Sequence, residues 1–124
     1  MAEILAVVPH FPSPAESADG QANYLTQLVP VLAAELRGNL RVLAIQFGDQ
    51  ALEEHGEGWT VERIPPPHSL DDVFALYLPG SMRPALDALH HAAVAHARAM
   101  GAETPVWCHG YETGAIVSTL AAAG

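Results

Sequence analysis

The feature that most constrains this chain is the alternation of short, continuous apolar runs with longer stretches of helical periodicity. Residues 4–8 form such a continuous apolar run, and residues 40–47, the weakly alternating residues 59–64 and residues 104–108 are predicted as three further strands. A run that is apolar at nearly every position fits a strand buried on both faces, as a parallel sheet requires. Such strands alternating with helices predict an α/β fold with right-handed crossovers and an open parallel sheet.

Four helices are predicted between and after these strands. The first carries an apolar stripe at steps of three and four and ends at Gly38, and Pro30 inside it is expected to bend the helix without breaking it. Ser69 with Asp72 resembles a capping box for a short second helix. Ser81 is predicted to cap a third helix, which Gly101 stops, and a last helix covers residues 112–122.

Length and composition limit the classes of function. The 124 residues fit one domain, residues 1–124. Fourteen acidic residues stand against five basic ones, all of them Arg, so binding of nucleic acid or of an anionic membrane is not expected. The single cysteine, Cys108, fits a reducing compartment, and no apolar stretch reaches the length that spans a bilayer. A cytoplasmic protein without membrane insertion is predicted.

Two loops are candidates for ligand binding. Ligands of open α/β sheets collect at the carboxyl ends of strands, where helix amino termini direct free amide donors. After the first strand, Gly20 allows a backbone amide to approach an anion closely, although an ordinary loop with a helix-starting glycine fits the same pattern. After the fourth strand, His109 precedes a helix start and has an imidazole that can donate or accept a proton.

Other kinds of site are not indicated. The dinucleotide fingerprint is absent, and a P-loop is excluded because the chain has no lysine. His90, His91 and His96 contain no pair spaced i, i+4, so no metal site is predicted. His10, His55 and His68 are interpreted as isolated loop residues, and Cys108 is interpreted as a buried, inert thiol.

The two loops together resemble the amino-terminal domain of GT-B glycosyltransferases, in particular the retaining group that includes sucrose and sucrose-phosphate synthases. That group carries a segment of the form D-x-G-G-Q-x-x-Y-x-x-x-L after its first strand, which this chain fits from Gly20 onward, with Asp19 where the first glycine is usual. It also carries H-x-x-x-[ST/A]-G after its fourth strand, which His109 to Gly114 fit. The resemblance follows the element order along the whole chain and rests on short motifs.

The resemblance implies a fold and roles for particular residues. The fold would be a three-layer, Rossmann-like parallel sheet with helices on both faces, forming part of a GT-B amino-terminal domain. His109 would contact the transferred sugar near the reacting centre, and Gly20 would lie against the donor phosphates. Gln21 would contact the acceptor, and Glu112 resembles an acidic residue of some synthases. The carboxylate of Asp19 would repel a phosphate unless it turned outward.

The implied reaction is the transfer of a sugar from a nucleotide-sugar donor to an acceptor hydroxyl with retention, without a metal or cofactor. A second, nucleotide-binding domain would be needed, so this chain is expected to be an incomplete acceptor-side domain that is inactive alone. Two alternatives stay open at this point. One is a non-catalytic Rossmann-like binding module, and the other is a flavodoxin-like binder of a nucleotide or flavin.

Overall fold

The computed structural model describes residues 4–11, 20–35, 40–71, 73–101 and 105–108. Within these ranges the element order is β1 (Ile4–Val7), α1 (Gly20–Glu35), β2 (Leu40–Ile45), β3 (Glu53–Gly56), β4 (Trp59–Ile64), a 3-10 helix (Val73–Tyr77), α2 (Met82–Met100) and β5 (Val106–Cys108). The predicted α/β class is therefore confirmed for this part of the chain, although β2, β3 and β4 follow one another without a helix between them. The helix predicted for residues 112–122 lies outside the described residues.

The five strands form one mixed sheet in the order β3-β4-β2-β1-β5. All neighbouring pairs are parallel except β3 and β4, which are antiparallel. The prediction of a purely parallel sheet is therefore wrong at one edge. The cause is local: Glu57 and Gly58 form a two-residue connection in which Gly58 has φ +85°, and such tight turns join antiparallel strands.

The strand order also distinguishes a Rossmann-like sheet from a flavodoxin-like sheet. Counting only the parallel strands, the third in sequence (β4) lies beside the second (β2), and the fourth (β5) lies on the free side of the first (β1). A flavodoxin-like sheet places its third parallel strand beside the first. The observed order therefore argues against the flavodoxin-like alternative.

Each face of the sheet carries its own apolar cluster. On one face, side chains of β1 and β2 pack with those of α2: Leu5, Val7, Leu43, Ile45, Phe47, Leu70, Leu76, Ala85, Leu89, Ala93 and Ala97. On the other face, the alternate side chains of β1 and β2 pack with those of α1: Ala6, Val8, Phe11, Val29, Ala33, Leu40, Val42, Ala44 and Val61. Because consecutive strand residues point to opposite faces, a run that is apolar throughout supplies both clusters.

The helices follow the sequence pattern with one correction. Helix α1 continues through Pro30, which lies on its exposed side, so the helix is not broken there. Helix α2 ends at Gly101, whose φ of +104° is accessible to glycine at little cost. Ser81 occupies the predicted N-cap position of α2 but its side chain makes no capping hydrogen bond. Its φ of −89° and ψ of −38° are helical, whereas a capping residue normally has an extended backbone.

The helix between β4 and α2 is shorter than predicted. The sequence predicts a short helix from Ser69 to about residue 78, and the structure has a 3-10 helix over Val73–Tyr77. Leu76 of this helix is fully buried in the α2-side cluster. The 3-10 helix therefore packs on the α2 side of the sheet.

Candidate functional site

The carboxyl ends of β1 and β5 lie side by side. Val7 of β1 is paired in register with Cys108 of β5 and, on its other side, with Leu43 of β2. From β1 the chain proceeds through β2 to β4 in one direction, and β5 then lies on the opposite side of β1. In open α/β sheets the ligand crevice forms outside the carboxyl ends of the two strands between which the strand order reverses. We therefore define the switch edge as the carboxyl ends of β1 and β5.

The structure describes only part of the site predicted from the sequence. Gly20 is the first residue of α1 and Gln21 lies in its first turn, so both are at a helix amino terminus. Asp19, His109 and Glu112 lie outside the described residues. The predicted meeting of Gly20 and His109 across one cleft therefore stays a prediction, while the adjacency of the strands that precede them is established.

The backbone beyond β1 stays attached to β2. The Val8 amide donates to the Leu43 carbonyl at 2.9 Å, and the Ile45 amide donates to the Pro9 carbonyl at 3.2 Å. We call residues 8–11 the β1 exit. The parallel pairing thus continues past the last strand residue, so the start of the β1 exit stays hydrogen-bonded to the carboxyl end of β2.

His10 is part of this exit and not an isolated loop residue, which corrects the sequence interpretation. Its side chain is 6% exposed, and its ring meets the ring of Phe47 edge to face, with 5.2 Å between centroids. Aromatic pairs favour this arrangement because the positive ring edge faces the negative ring face. A buried imidazole is thus placed where β1 leaves the sheet.

A buried arginine holds the end of the β1 exit. Arg63 of β4 is 1% exposed, and its Nε and Nη2 donate to the Phe11 carbonyl at 3.3 and 2.9 Å. Its Nη1 donates to the Ala51 carbonyl at 2.8 Å and also contacts the carboxylate of Glu54. Every guanidinium nitrogen therefore has an acceptor, which is the condition for burying such a charge.

A buried amide joins the same carbonyl. Gln50 is 5% exposed, and its Nε2 donates to the Phe11 carbonyl at 3.3 Å. Its Oε1 accepts from the Phe47 amide at 2.9 Å, and its own carbonyl accepts from Gln46 Nε2 at 2.9 Å. We call Arg63, Gln50 and the Phe11 carbonyl the exit clamp. The clamp connects the β1 exit with the loop after β2 and with β4.

The loop after β2 is itself closely packed. The Gly48 amide donates to the Leu70 carbonyl at 2.6 Å, and Gly48 has φ +58°. A Cβ at this position would lie 2.9 Å from the Asp71 carbonyl oxygen, so only glycine fits without a shift of the backbone. The exits of β2 and β4 are therefore fixed to one another.

The β3–β4 hairpin carries polar pairs on its surface. His55 lies in β3, not in a loop as predicted, and its Nε2 is 3.1 Å from Glu53 Oε1. Its Nδ1 is 3.2 Å from Thr60 Oγ1. His96 of α2 places its Nε2 2.6 Å from Glu62 Oε2 of β4. These contacts join surface groups across the hairpin and the helix and lie on elements away from the switch edge.

One small and one shallow pocket lie among the described residues. One of about 40 Å³ lies between the segment after β4 and the start of α2, and it is lined by Pro66, Pro67, His68, Leu70, Gly80, Ser81, Pro84 and Ala85. This volume holds a water molecule or two and not a nucleotide-sugar. A wide depression on α2 is lined by Asp87, His90, His91 and Val94. Neither gives a site for a large ligand.

No three His, Cys, Asp or Glu side chains of the described residues are grouped so that they could hold a metal ion. Neither described helix combines the length and the apolar character needed to cross a membrane.

The exit clamp was missed by the sequence interpretation. Arg63 shares its face of β4 with the buried Val61, and this alternation is the only local signal that the arginine points inward. Gln50 belongs to a turn-like segment with no pattern that predicts burial. The acceptor for both is a backbone carbonyl about forty to fifty residues away in sequence.

Comparison with known proteins does not extend these findings: no family model, no curated protein and no solved structure matches the chain.

Proposed function

We propose that this chain is the acceptor-side, Rossmann-like part of a retaining GT-B glycosyltransferase that transfers a sugar from a nucleotide-sugar to an acceptor hydroxyl. The observation that carries the proposal is the parallel pairing of β1 with β5, in which Val7 is opposite Cys108. The two motif-bearing loops follow these two strands, so both leave the sheet at the same edge.

The strand order supports the same proposal. The four parallel strands have the order β4-β2-β1-β5, which corresponds to the order 3-2-1-4 of the first four strands in Rossmann-type sheets. Helices α1 and α2 cover opposite faces of the sheet, in keeping with a three-layer arrangement. In such folds the switch edge is where a phosphate-bearing ligand binds.

The proposed roles follow from the chemistry of the residues. The free amide donors at the start of α1, beginning with Gly20, stabilise the leaving phosphate together with the positive end of the helix dipole. The role assigned to His109 is contact with the transferred sugar, the role assigned to Gln21 is contact with the acceptor, and Glu112 is assigned to the same sugar site. The proposal requires the carboxylate of Asp19 to turn away from the phosphate. The acceptor oxygen forms its bond to the anomeric carbon on the face from which the nucleoside diphosphate leaves. The bond between that carbon and the phosphate oxygen breaks and the leaving phosphate takes up the hydroxyl proton, so the configuration is retained.

The test uses the full-length enzyme of which this chain is proposed to be the acceptor-side part. It is assayed with a panel of UDP-glucose, ADP-glucose and GDP-mannose, and release of the nucleoside diphosphate is the readout. His109→Ala is expected to lower turnover about 100-fold or more, because a group at the reacting centre is lost, with the unfolding midpoint unchanged. The matched control is His91→Ala, since His91 is exposed on α2.

Two results would contradict the proposal. Turnover by His109→Ala at the wild-type rate would remove the histidine from the mechanism. Wild-type protein that binds a nucleotide-sugar without ever consuming it would favour the non-catalytic binding module.

A further inference from the structure

We propose that Trp107 is a positioning residue of the nucleotide-sugar site, because it joins β5 to the face of the sheet that α1 covers. The inference deepens the proposed function and rests on it. Trp107 lies in β5 between Val106 and Cys108, and Cys108 is the residue opposite Val7 at the switch edge. His109, to which the proposed function assigns contact with the transferred sugar, is two residues after Trp107 in the sequence.

The side chains of β5 divide between the two faces of the sheet. Val106 and Cys108 pack against the α2-side cluster, whereas Trp107 packs against the α1-side cluster. This division is expected because consecutive residues of a strand point to opposite faces. Among the described residues of β5, Trp107 is therefore the one side chain that contributes to the face covered by α1.

The residue beside Trp107 on β1 is small. In the register of β1 and β5, Trp107 is opposite Ala6, which is fully buried. With a methyl group as its neighbour, the partly buried indole supplies most of the apolar volume of this pair. Replacing Trp107 by alanine would leave two methyl groups side by side, so β5 would lose its apolar anchor on the α1 side.

The cluster that receives Trp107 also holds the helix that carries the other half of the proposed site. Val29 and Ala33 of α1 are buried in the α1-side cluster. Helix α1 begins at Gly20, whose amide the proposed function places against the donor phosphates. A closely packed interior transmits a change of volume to the elements around it. Trp107 therefore helps to set the position of α1 relative to β5, and with it the spacing between the phosphate contact and the sugar contact.

This spacing matters for one class of ligand and not for another. A nucleotide-sugar would meet both contacts, because its phosphate and its sugar are joined by the bond that breaks. A nucleoside diphosphate has the phosphates and lacks the sugar, so it would meet the phosphate contact alone. A shift of α1 relative to β5 should therefore impair use of the nucleotide-sugar and leave binding of the nucleoside diphosphate unchanged.

The experiment measures steady-state kinetics of the full-length enzyme with the nucleotide-sugar of the panel that it consumes, and inhibition by the corresponding nucleoside diphosphate. Rates are expressed per folded enzyme, and circular dichroism gives the folded fraction. Trp107→Ala is expected to lower kcat/KM for the nucleotide-sugar about tenfold and to leave the inhibition constant of the nucleoside diphosphate within about twofold of wild type. Trp107→Phe keeps an aromatic ring on the same face, so it should recover kcat/KM to within about threefold of wild type.

The matched control is Val106→Ala, which shortens the preceding side chain of the same strand on the α2 side. Both residues are partly buried, so the control reports what lost packing on β5 does when the α1 side is untouched. Wild-type kcat/KM in folded Trp107→Ala would overturn the inference, as would an equal fall in Val106→Ala or a parallel loss of affinity for the nucleoside diphosphate. If Trp107→Ala does not fold, Trp107→Leu is measured in its place, and wild-type kcat/KM in that variant would overturn the inference.

The failure of this inference is distinct from failure of the proposed function. Wild-type enzyme that neither binds nor consumes any nucleotide-sugar of the panel would overturn both. Turnover by the wild type combined with unchanged kcat/KM in folded Trp107→Ala would overturn the positioning role and leave the glycosyltransferase proposal standing.

Discussion

The two faces of the sheet are closed by different kinds of interaction. On the α2 side, the described side chains of the cluster are apolar, from Leu5 and Val7 on β1 to Leu89 and Ala93 on α2. On the α1 side, the apolar cluster is bordered at the carboxyl edge by the buried exit clamp. The first face is held by area removed from water, whereas the second is also held by directed hydrogen bonds.

The difference shows where the fold depends on particular side chains. Apolar packing tolerates exchange of side chains of similar volume, since it depends mainly on the area and volume that are buried. A buried hydrogen-bond network tolerates one arrangement, because an unpaired buried donor or acceptor is costly. The network lies at β4, on the side of β1 away from β5, and holds the end of the β1 exit there.

Breaking the clamp should have the largest effect on stability. Arg63→Met removes the guanidinium donors from the Phe11 and Ala51 carbonyls and from the Glu54 carboxylate, so we expect a loss of about 4 kcal/mol in the free energy of unfolding. Urea unfolding followed by circular dichroism measures it. Arg98→Met on the exposed side of α2 is the control, and equal losses in both variants would contradict the contrast between the faces.

A cavity on the α2 side should have the next largest effect. Leu89 is fully buried, and Leu89→Ala is expected to lower the free energy of unfolding by about 3 kcal/mol through lost contacts and a residual cavity. Leu89→Met, which nearly conserves volume, should recover most of this loss. The comparison between the faces would be weakened if Leu89→Met were as damaging as Leu89→Ala, since the apolar face would then be as position-specific as the clamp.

A substitution in the β3–β4 hairpin tests the border of the α1-side cluster. A Cβ on Gly56 would overlap the indole ring of Trp59, which packs against Phe11 with 5.7 Å between ring centroids. Gly56→Ala is therefore expected to cost about 2 kcal/mol by overpacking. Tryptophan fluorescence in a Trp107→Phe background should shift as the Trp59 ring moves. The same substitution made together with Trp59→Leu should cost less, and an unchanged cost would point to the backbone instead.

The smallest effect is expected at the contact between α2 and β4. His96 and Glu62 are about one-third exposed, at 30% and 35%, so solvent screens their interaction. His96→Gln is expected to change the free energy of unfolding by about 0.5 kcal/mol or less. Differential scanning calorimetry at neutral pH checks this. A loss comparable to that of Leu89→Ala would mean that the polar contact, and not the apolar cluster, holds α2.

Much of the fold could be predicted from local patterns. The runs at β1 and β2 are recognisable because burial on both faces demands apolar residues at successive positions, whereas β4 is recognisable by a weak alternation. Strand β3 was not predicted, since Glu53, Glu54 and His55 carry no apolar signal. It exists because the Gly58 turn returns the chain along β4, and such an edge strand needs backbone pairing more than burial.

The candidate site was predictable to a smaller extent. The sequence motifs pointed to the loops after β1 and β5, and the adjacency of these strands fits that choice. The positions of Asp19, His109 and Glu112 in relation to each other stay predictions. The exit clamp could not be predicted, because an arginine in a strand and a glutamine in a turn are ordinarily exposed.

The sequence by itself determined the strands β1, β2 and β4 and the helices α1 and α2, since those choices depend on periodicity and on turn residues that act over a few positions. Only the tertiary structure decided the strand order, the antiparallel edge and the burial of Arg63 and Gln50. The physical reason is that a buried polar side chain is stable only where a partner arrives from elsewhere in the chain. For Arg63 and Gln50 that partner is the carbonyl of Phe11, which the parallel pairing of β1 with β2 brings to them.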